Sequence, residues 1–286
     1  MNKTYSKFPS AHEQMRRVSC PLCHGNQFRP CWRAQGAFFE TCQNCGLVVQ
    51  NPRPIPSDLA HRYDDEYFQY EKTNEEAFFH LMELGLNDLN FHERLSTTLP
   101  QPPIVLDVGC ATGRLLKDFA QRGWKTAGAE LCQASAAYGN THYHVNIVPS
   151  TLEDAAFESH HFSLVHASHV IEHVDDPLGF AQELFRVLRP GGMFLCTTPA
   201  VDGFQARLFR GRWRSAIADH VTLFSKATLQ QLLNKVGFEV EEVRTWGGLA
   251  AGSAPRWIKN PVDRWAKRSG LGDVVLMAAR KPSNSP

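Results

Sequence analysis

The chain lacks long apolar runs. No hydrophobic segment approaches the roughly 20 residues of a membrane-spanning helix, and the polar N-terminus has no apolar region of a secretory signal peptide. The formal net charge of the 286 residues is only +1, which gives no indication of a uniformly charged partner. No internal repeat is present. We therefore expect a cytoplasmic globular protein with one large α/β domain and a smaller module.

Disulfide bonds are not expected in that compartment, so the eight cysteines are expected to be thiols or metal ligands. Two C-x-x-C pairs, Cys20/Cys23 and Cys42/Cys45, are separated by 18 residues, which is the spacing of a structural zinc site. Four thiolates complete a tetrahedral coordination sphere, so a structural Zn²⁺ is expected rather than a catalytic one. Residues 1–54 are therefore interpreted as a zinc-ribbon module with an N-terminal tail.

Residues 55–100 are expected to form a helical linker that packs on the core. Three prolines within 52–56 make the connection stiff, and Ser57 is a candidate helix N-cap. Apolar spacing predicts a longer helix from about 74 to 96, with Gly85 as a possible point of interruption. Three tyrosines at near-helical spacing either pack in the core or close over the edge of a ligand. They are Tyr63, Tyr67 and Tyr70.

From Ile104 onward the pattern alternates between strand and helix, which predicts a parallel sheet with helices on both faces. Residues 101–281 are interpreted as this Rossmann-like α/β domain, followed by a disordered tail at 282–286. Seven strands are predicted, at 104–108, 124–129, 145–148, 162–167, 192–198, 238–244 and 273–280.

The most informative segment is the glycine loop after the first of these strands. A buried β-branched run ends at Asp107, breaks into a turn, and is followed by a helix. Dinucleotide-binding loops have the spacing G-x-G-x-x-G, whereas this chain has Gly109-x-Ala111-x-Gly113. This difference excludes the dehydrogenase interpretation. Alanine has a Cβ methyl group, which the backbone tolerates at negative φ. We therefore expect Ala111 to have a negative φ.

This loop resembles the first motif of class I S-adenosylmethionine (SAM) methyltransferases, which implies SAM as the cofactor. Asp107 is then expected to contact the ammonium group of the methionine portion. Glu130, at the end of the second strand, can accept hydrogen bonds from both ribose hydroxyls. The turn at 150–154 is a candidate adenine edge. The expected cofactor-binding residues are Asp107, Gly109, Cys110, Ala111, Gly113, Glu130, Leu131, Thr151, Leu152, Ser168 and His169.

The segment after the fourth strand contains His169-Val-Ile-Glu172-His173. H-x-x-E-H is also an inverted zinc-protease pattern, but that pattern requires a helix and leaves the glycine loop unexplained. The segment resembles the corresponding part of methyltransferases. In ubiquinone-type O-methyltransferases a related E-x-x-E-H arrangement binds a divalent metal, and here His169 replaces the first glutamate. The candidate catalytic bases are His173, His169 and His220.

Two further segments carry the resemblance. Pro190-Gly-Gly192 precedes the fifth strand, and the run from Asp219 to Ser225 precedes a helix. Residues 102–245 resemble class I methyltransferases throughout. The N-terminal cysteines and the Asn-Pro-Arg-Pro linker resemble bacterial methyltransferases with a zinc ribbon, which implies sugar, surface-polysaccharide or secondary-metabolite pathways. The long C-terminal extension of sugar C-methyltransferases is missing.

The acceptor is expected to contact residues 200–220. Their aromatic and cationic side chains form either a cover for an anionic acceptor, since arginine pairs with phosphate in two hydrogen bonds, or a plain amphipathic helix. These side chains are Phe204, Arg207, Phe209, Arg210, Arg212, Trp213 and Arg214. The segment 256–268 has two tryptophans among basic residues and is a candidate for peripheral contact with a membrane that carries a lipid-linked acceptor.

The sequence thus predicts a SAM-dependent enzyme that methylates an oxygen of a small-molecule or glycan-type acceptor. One alternative is an rRNA base methyltransferase that uses the zinc ribbon for recognition. The chain has no continuous basic stripe, which disfavours nucleic acid. Another alternative is a non-catalytic zinc-ribbon interaction protein on the same fold. The retained Asp107, Gly109, Gly113 and Glu130 disfavour that loss of activity.

Overall fold

The computed structural model describes residues 13–60, 62–248 and 255–284. Its N-terminal part is a small antiparallel β structure in which two tight turns carry the cysteine pairs. The strands are β1 (Met15–Arg16), β2 (Phe28–Ala34), β3 (Ala37–Cys42), β4 (Val48–Gln50) and β5 (Arg53–Pro54). β2, β3 and β4 pair consecutively, and β1 pairs with β5. Most of the predicted N-terminal tail lies outside the described residues, as does the end of the predicted C-terminal tail.

The helical linker is divided differently from the prediction. α1 (Pro56–Ala60) is short, and the long helix α2 (Asp65–Asp88) begins about nine residues earlier than expected. The reason is Asp64, whose carboxylate accepts hydrogen bonds from two backbone N–H groups of the first turn. Gly85 does not interrupt α2. It lies at the position where the helix packs closely against the Trp246 ring. A π-helical turn at Phe91–Leu95 and a 3₁₀ turn at Ser96–Thr98 follow.

The rest of the chain forms an α/β domain, and all seven predicted strands are confirmed. The seven are β6 (Ile104–Val108), β7 (Lys125–Ala129), β8 (Ile147–Val148), β9 (Phe162–Ser168), β10 (Leu188–Pro199), β12 (Glu239–Trp246) and β13 (Val274–Arg280). One further short strand, β11 (Thr222–Leu223), was not predicted. The helices are α3 (Arg114–Gln121), α4 (Gln133–His142), α5 (Pro177–Val187), α6 (Phe204–Phe209), α7 (Lys226–Val236) and α8 (Arg256–Ser269). One apolar cluster packs α5 and α7 on one face of the sheet, and a second packs α2, α3 and α4 on the other.

The seven-stranded sheet has the order β12-β13-β10-β9-β6-β7-β8. The expectation of an all-parallel sheet is wrong for β13, which runs antiparallel to both of its neighbours. Trp246 at the end of β12 pairs with Val274 at the start of β13, so the connection begins and ends at the same sheet edge. α8, within that connection, therefore lies at the carboxyl edge of the parallel strands. None of the helices in the described ranges has the length and apolar character needed to cross a membrane.

The cysteine-containing module and the α/β domain share secondary structure. β11 pairs with β4 and extends the N-terminal sheet to four strands. Leu22, Leu47 and Val49 belong to the same buried cluster as α5 and α7. The Lys235 ammonium group at the end of α7 donates to the carbonyl of Leu22 at 2.7 Å. These contacts attach the module to one face of the large sheet.

Candidate functional site

The four paired cysteines converge as their spacing predicts. Cys20 and Cys45 have their sulfur atoms 3.5 Å apart, as do Cys23 and Cys42, and all four sulfurs lie within 4.8 Å of one another. A tetrahedral ion with metal–sulfur bonds of about 2.3 Å requires sulfur separations of roughly 3.8 Å. Burial raises the pKa of the Cys20 thiol to about 11, so its thiolate needs a nearby cation. The cluster has the geometry and the chemistry to hold a structural Zn²⁺.

The glycine loop differs from the prediction at Ala111, whose φ is +50°. The expectation of a negative φ is wrong. The chain turns sharply here, with the Gly113 N–H donating to the Cys110 carbonyl at 2.8 Å, and the Ala111 N–H points to the Glu130 carboxylate at 3.0 Å. For a residue with a Cβ this left-handed conformation costs about 1–2 kcal/mol.

Asp107 lies beneath this loop and is held by a residue that the sequence reasoning missed. The Nδ1 atom of His166, in β9, is 2.7 Å from Asp107 Oδ1, and both residues are almost fully buried. The second oxygen, Oδ2, is buried and has no hydrogen-bond partner among the described residues. A buried carboxylate oxygen without a partner is costly, so this atom fits a cationic ligand group. His166 lies in β9, which neighbours β6, and it pairs with Asp107 in the sheet register. That position is what could have indicated its role.

Glu130 occupies the end of β7, as expected, and is buried. Its two oxygens accept hydrogen bonds from the backbone N–H groups of Ala111 and Cys132, at 3.0 and 2.8 Å. Burial, opposed by these bonds, raises the pKa of Glu130. A carboxylate has about four acceptor sites, so both oxygens can also accept from ligand hydroxyls.

α2 brings a second buried carboxylate next to Glu130. Glu71 accepts a hydrogen bond from the Ser135 hydroxyl at the start of α4. Burial and the charge of Glu130 raise the pKa of Glu71 to about 8. One turn further along, Glu75 accepts from the Thr112 hydroxyl in the glycine loop. The sequence did not indicate these contacts, since α2 and the loop are about 40 residues apart in the chain.

Two of the three predicted tyrosines lie beside these carboxylates. The rings of Tyr63 and Tyr67 are in edge-to-face contact, with centroids 5.0 Å apart. Burial is the main reason why the pKa of Tyr63 is raised, and the charges of Glu130, Asp219 and Glu172 add to the effect. The charges of carboxylates from both the Glu130 side and the Glu172 side of the site thus act on Tyr63. Tyr70 contacts Phe78 within α2.

Glu172 connects the three candidate bases. It is fully buried, and it accepts hydrogen bonds from His169 Nδ1 at 3.1 Å and from the Thr198 hydroxyl at 2.9 Å. Burial opposes its ionisation, but the bond from His169 and the fields of the histidines lower the pKa of Glu172 to about 2. Glu172 is therefore a carboxylate at neutral pH. His169 itself has a φ of +57° and is half exposed.

His173 and His220 form an edge-to-face pair with ring centroids 4.7 Å apart. Each Nδ1 lies next to a backbone carbonyl, that of Asp219 for His173 and that of Ser215 for His220. Since a carbonyl only accepts, Nδ1 of each ring carries a proton, and when a ring is neutral its Nε2 has a free lone pair. Burial and the field of His173 lower the pKa of His220 to about 3. Ligand atoms of Glu172, His173 and His220 all lie within 4.8 Å, so this group could also hold a divalent metal.

The remaining predicted residues are more scattered. Leu131 is partly exposed, Leu152 is buried in the core, and the Thr151 hydroxyl bonds to Asp154. Cys110 is buried, and Ser168 is the last residue of β9. Trp213 was predicted to help cover the acceptor, but it is buried and donates its indole N–H to the Asp273 carboxylate. Arg214, from the same predicted group, also donates to Asp273. Trp213 is thus a core residue.

The N-terminal module reaches this site through backbone hydrogen bonds. Gln50, the last residue of β4, donates its N–H to the carbonyl of Val221 at 2.9 Å. The N–H of Val221 in turn donates to the carbonyl of Glu172 at 2.9 Å. The linker contributes as well, because the buried Arg53 side chain bonds to the carbonyl and the carboxylate of Asp175. His220 and Glu172 are therefore held in place partly by the cysteine-containing module.

Comparison with known proteins agrees with this geometry. Three relatives are a probable S-adenosylmethionine-dependent methyltransferase of Mycolicibacterium smegmatis, a ubiquinone biosynthesis O-methyltransferase of Cereibacter sphaeroides and a tRNA U34 carboxymethyltransferase of Cellvibrio japonicus. Their identities are 35%, 32% and 30% over 147, 114 and 149 residues, which is 48%, 38% and 49% of this chain. The aligned parts cover 52%, 46% and 46% of the relatives, so the chain spans about half the length of the proteins it matches.

The fold is also found in solved structures. A chain from the Haloferax volcanii complex between the Trm112 methyltransferase activator and a methyltransferase superposes with a TM-score of 0.58 at 18% identity. The match covers 78% of this chain and 97% of the other. Residues 81–243, more than half of the chain, match the family model described as a methyltransferase domain. This protein therefore belongs to the methyltransferase-domain family, in agreement with its resemblance to class I SAM-dependent methyltransferases.

Proposed function

We propose that this protein transfers the methyl group of SAM to an oxygen atom of a small-molecule or glycan-type acceptor. The observation that carries the proposal is the pairing of two sites at one sheet edge. Asp107 and Glu130 lie at the ends of β6 and β7, and the cluster of Glu172, His173 and His220 lies just beyond β9. Open α/β sheets bind ligands at this edge.

On the cofactor side, Asp107 would hold the ammonium group through its unpartnered Oδ2, with His166 fixing the orientation of the carboxylate. Glu130 would accept the ribose hydroxyls while its backbone contacts keep it in place. SAM supplies a methyl group on a sulfonium, which a nucleophile can attack directly. The contribution of the protein is to align the two reactants and exclude water.

On the acceptor side, His173 and His220 are the proposed bases. Because Nδ1 of His220 donates to the Ser215 carbonyl, Nε2 of the neutral ring has the lone pair that would accept a proton from an acceptor hydroxyl. The carboxylate of Glu172 then stabilises the imidazolium that forms on His220. His169 reaches the site only through its bond to Glu172, so its proposed role is to orient that carboxylate.

The choice of a hydroxyl acceptor is supported by the histidine cluster and by the O-methyltransferases among the relatives. An RNA acceptor is the second candidate, since one relative is a tRNA-modifying enzyme. The ligand atoms of Glu172, His173 and His220 lie within 4.8 Å of one another, and the negative charge of the Glu172 carboxylate disfavours a phosphate backbone there. The small-molecule or glycan acceptor is therefore the better supported of the two.

Two measurements test the proposal. Calorimetry with SAM should show saturable one-site binding, and no binding at millimolar SAM would refute it. Methyl-labelled SAM should then label nucleotide-linked sugars or polyphenols, and not total tRNA. His220→Asn should lower the rate of labelling about 100-fold or more while SAM affinity stays unchanged. Labelling of tRNA alone would favour the RNA candidate.

A further inference from the structure

A short segment after β10 exposes apolar and cationic side chains together. Arg207, Leu208, Phe209 and Arg210 are four consecutive exposed residues at the end of α6. Leu208 is 62% exposed, a large fraction for a leucine in a folded domain. Neither arginine has an ion-pair or hydrogen-bond partner for its side chain in the described parts of the chain. Such a segment is suited to contact with something outside the protein.

α8 continues this surface. Trp257 is 76% exposed and Trp265 is 51% exposed, and the ring of Trp265 is in edge-to-face contact with Phe204 at the start of α6. Leu208 lies one helical turn beyond Phe204, on the same side of α6. The contact between Trp265 and Phe204 shows that the two helices adjoin, and we call their exposed residues together the α6–α8 surface. It consists of Arg207, Leu208, Phe209, Arg210, Trp257 and Trp265.

The charge around this patch is strongly positive. Asp263 is the only acidic residue in α6 and α8, and it is paired with Lys259. The other flank of α8 contributes to a cleft of about 490 Å³. Five of the eight residues that line this cleft are basic, namely Lys226, Arg244, Arg264, Lys267 and Arg268. Lys226, Arg244 and Lys267 are ion-paired with Asp202, Glu242 and Asp88, so the excess positive charge comes from Arg264 and Arg268. The combination of exposed indoles, an exposed leucine and the cations of Arg207 and Arg210 matches the boundary between lipid headgroups and acyl chains.

We propose that the α6–α8 surface docks on an anionic phospholipid bilayer. The position of the surface agrees with this role, because both helices follow strand ends at the carboxyl edge of the sheet, where the candidate site lies. A docked bilayer would then present acceptors directly to that edge. Leu208 distinguishes a bilayer from RNA, since an aliphatic side chain gains from insertion among acyl chains and has no π face for stacking on bases. This inference goes beyond the proposed methyl transfer and does not depend on it.

Co-sedimentation with vesicles tests the proposal. The full-length protein should bind vesicles that contain phosphatidylglycerol and not vesicles of phosphatidylcholine alone, and binding should weaken as salt increases. Arg207→Gln/Arg210→Gln should reduce the partition coefficient about 30-fold, since each arginine near an anionic surface contributes about a five-fold factor. Leu208→Ala/Trp257→Ala should also reduce it by at least tenfold.

Matched controls keep the outcome clear. Leu84→Ala removes an exposed leucine on α2, and Arg29→Gln removes an exposed arginine on β2, so neither should change vesicle binding. Unchanged calorimetry with SAM shows that each variant is folded, independently of whether it binds lipid. The proposal is wrong if the protein ignores anionic vesicles, if it binds neutral vesicles equally well, or if the control variants lose as much binding. Salt-sensitive binding to total tRNA without vesicle binding would also overturn it.

Discussion

Glu71 should make the stability of this protein depend on pH in a direction opposite to that of most carboxylates. Its pKa is raised from an ordinary value of 4.5 to about 8, because it is buried and lies near Glu130. Between these two pH values the folded state holds a proton that the unfolded state releases. The free energy of unfolding therefore falls as the pH rises through this window, and the loss is complete above pH 8.

The variant Glu71→Gln isolates this effect. Glutamine is neutral in both states and can still accept the hydrogen bond from Ser135. At pH 7 the wild-type side chain costs about 3 kcal/mol relative to a neutral one, since each pKa unit corresponds to about 1.4 kcal/mol. The stability advantage of the variant over the wild type should grow by about 3 kcal/mol between pH 5.5 and pH 8.

Urea denaturation of both proteins across this pH range provides the measurement. Altered packing in the variant would change its free energy of unfolding by the same amount at every pH. Only the pH dependence of the difference in unfolding free energy between the two proteins therefore tests the raised pKa of Glu71. For the variant Glu93→Gln, which changes an exposed carboxylate within the π-helical turn, the difference from the wild type should not depend on pH. If Glu71→Gln and the wild type lose stability in parallel as the pH rises, Glu71 is ionised in the folded protein and the reasoning is wrong.

Three further predictions concern the glycine loop, the cofactor carboxylate and the cysteine cluster. Ala111→Gly should raise the free energy of unfolding by about 1 kcal/mol, because glycine relieves the positive φ; thermal denaturation checks this, and destabilisation would contradict it. Asp107→Asn should weaken SAM binding at least 30-fold in calorimetry, whereas the surface change Asp118→Asn should not. Cys45→Ser should lower the methyl-transfer rate more than the SAM affinity, because β4 supports the segment at 220–223 and not the glycine loop. A parallel loss of both quantities would argue against that division.

The strands of the large sheet show how far local patterns reach. Ile104–Val108 is a short run of β-branched and apolar residues bounded by a proline pair and a glycine turn, and the predicted and observed bounds agree. The other six strands were found for the same reason. The orientation of β13 was not, because a strand has the same apolar pattern in either direction.

The cysteine ligands could be predicted from the local sequence, whereas the grouping of the candidate bases could not. C-x-x-C pairs encode their own geometry, because each pair spans one tight turn, and only the approach of the two turns depends on the fold. The histidines carry no such signal. His220 lies near Glu172 because Val221 and Thr222 bond to the Glu172 carbonyl and β11 joins the sheet of the N-terminal module, a pairing that connects residues more than 170 positions apart.

The sequence by itself determined the order of the strands along the chain, the glycine loop, the four thiol ligands and the family resemblance, since each depends on residues that are close in the chain. The tertiary structure alone decided the left-handed backbone of Ala111, the support of Asp107 by His166, the raised pKa of Glu71 and the joining of two helices into the α6–α8 surface. Each of these depends on burial or on contact between distant segments. Such contacts and their local dielectric environment exist only after the chain has packed.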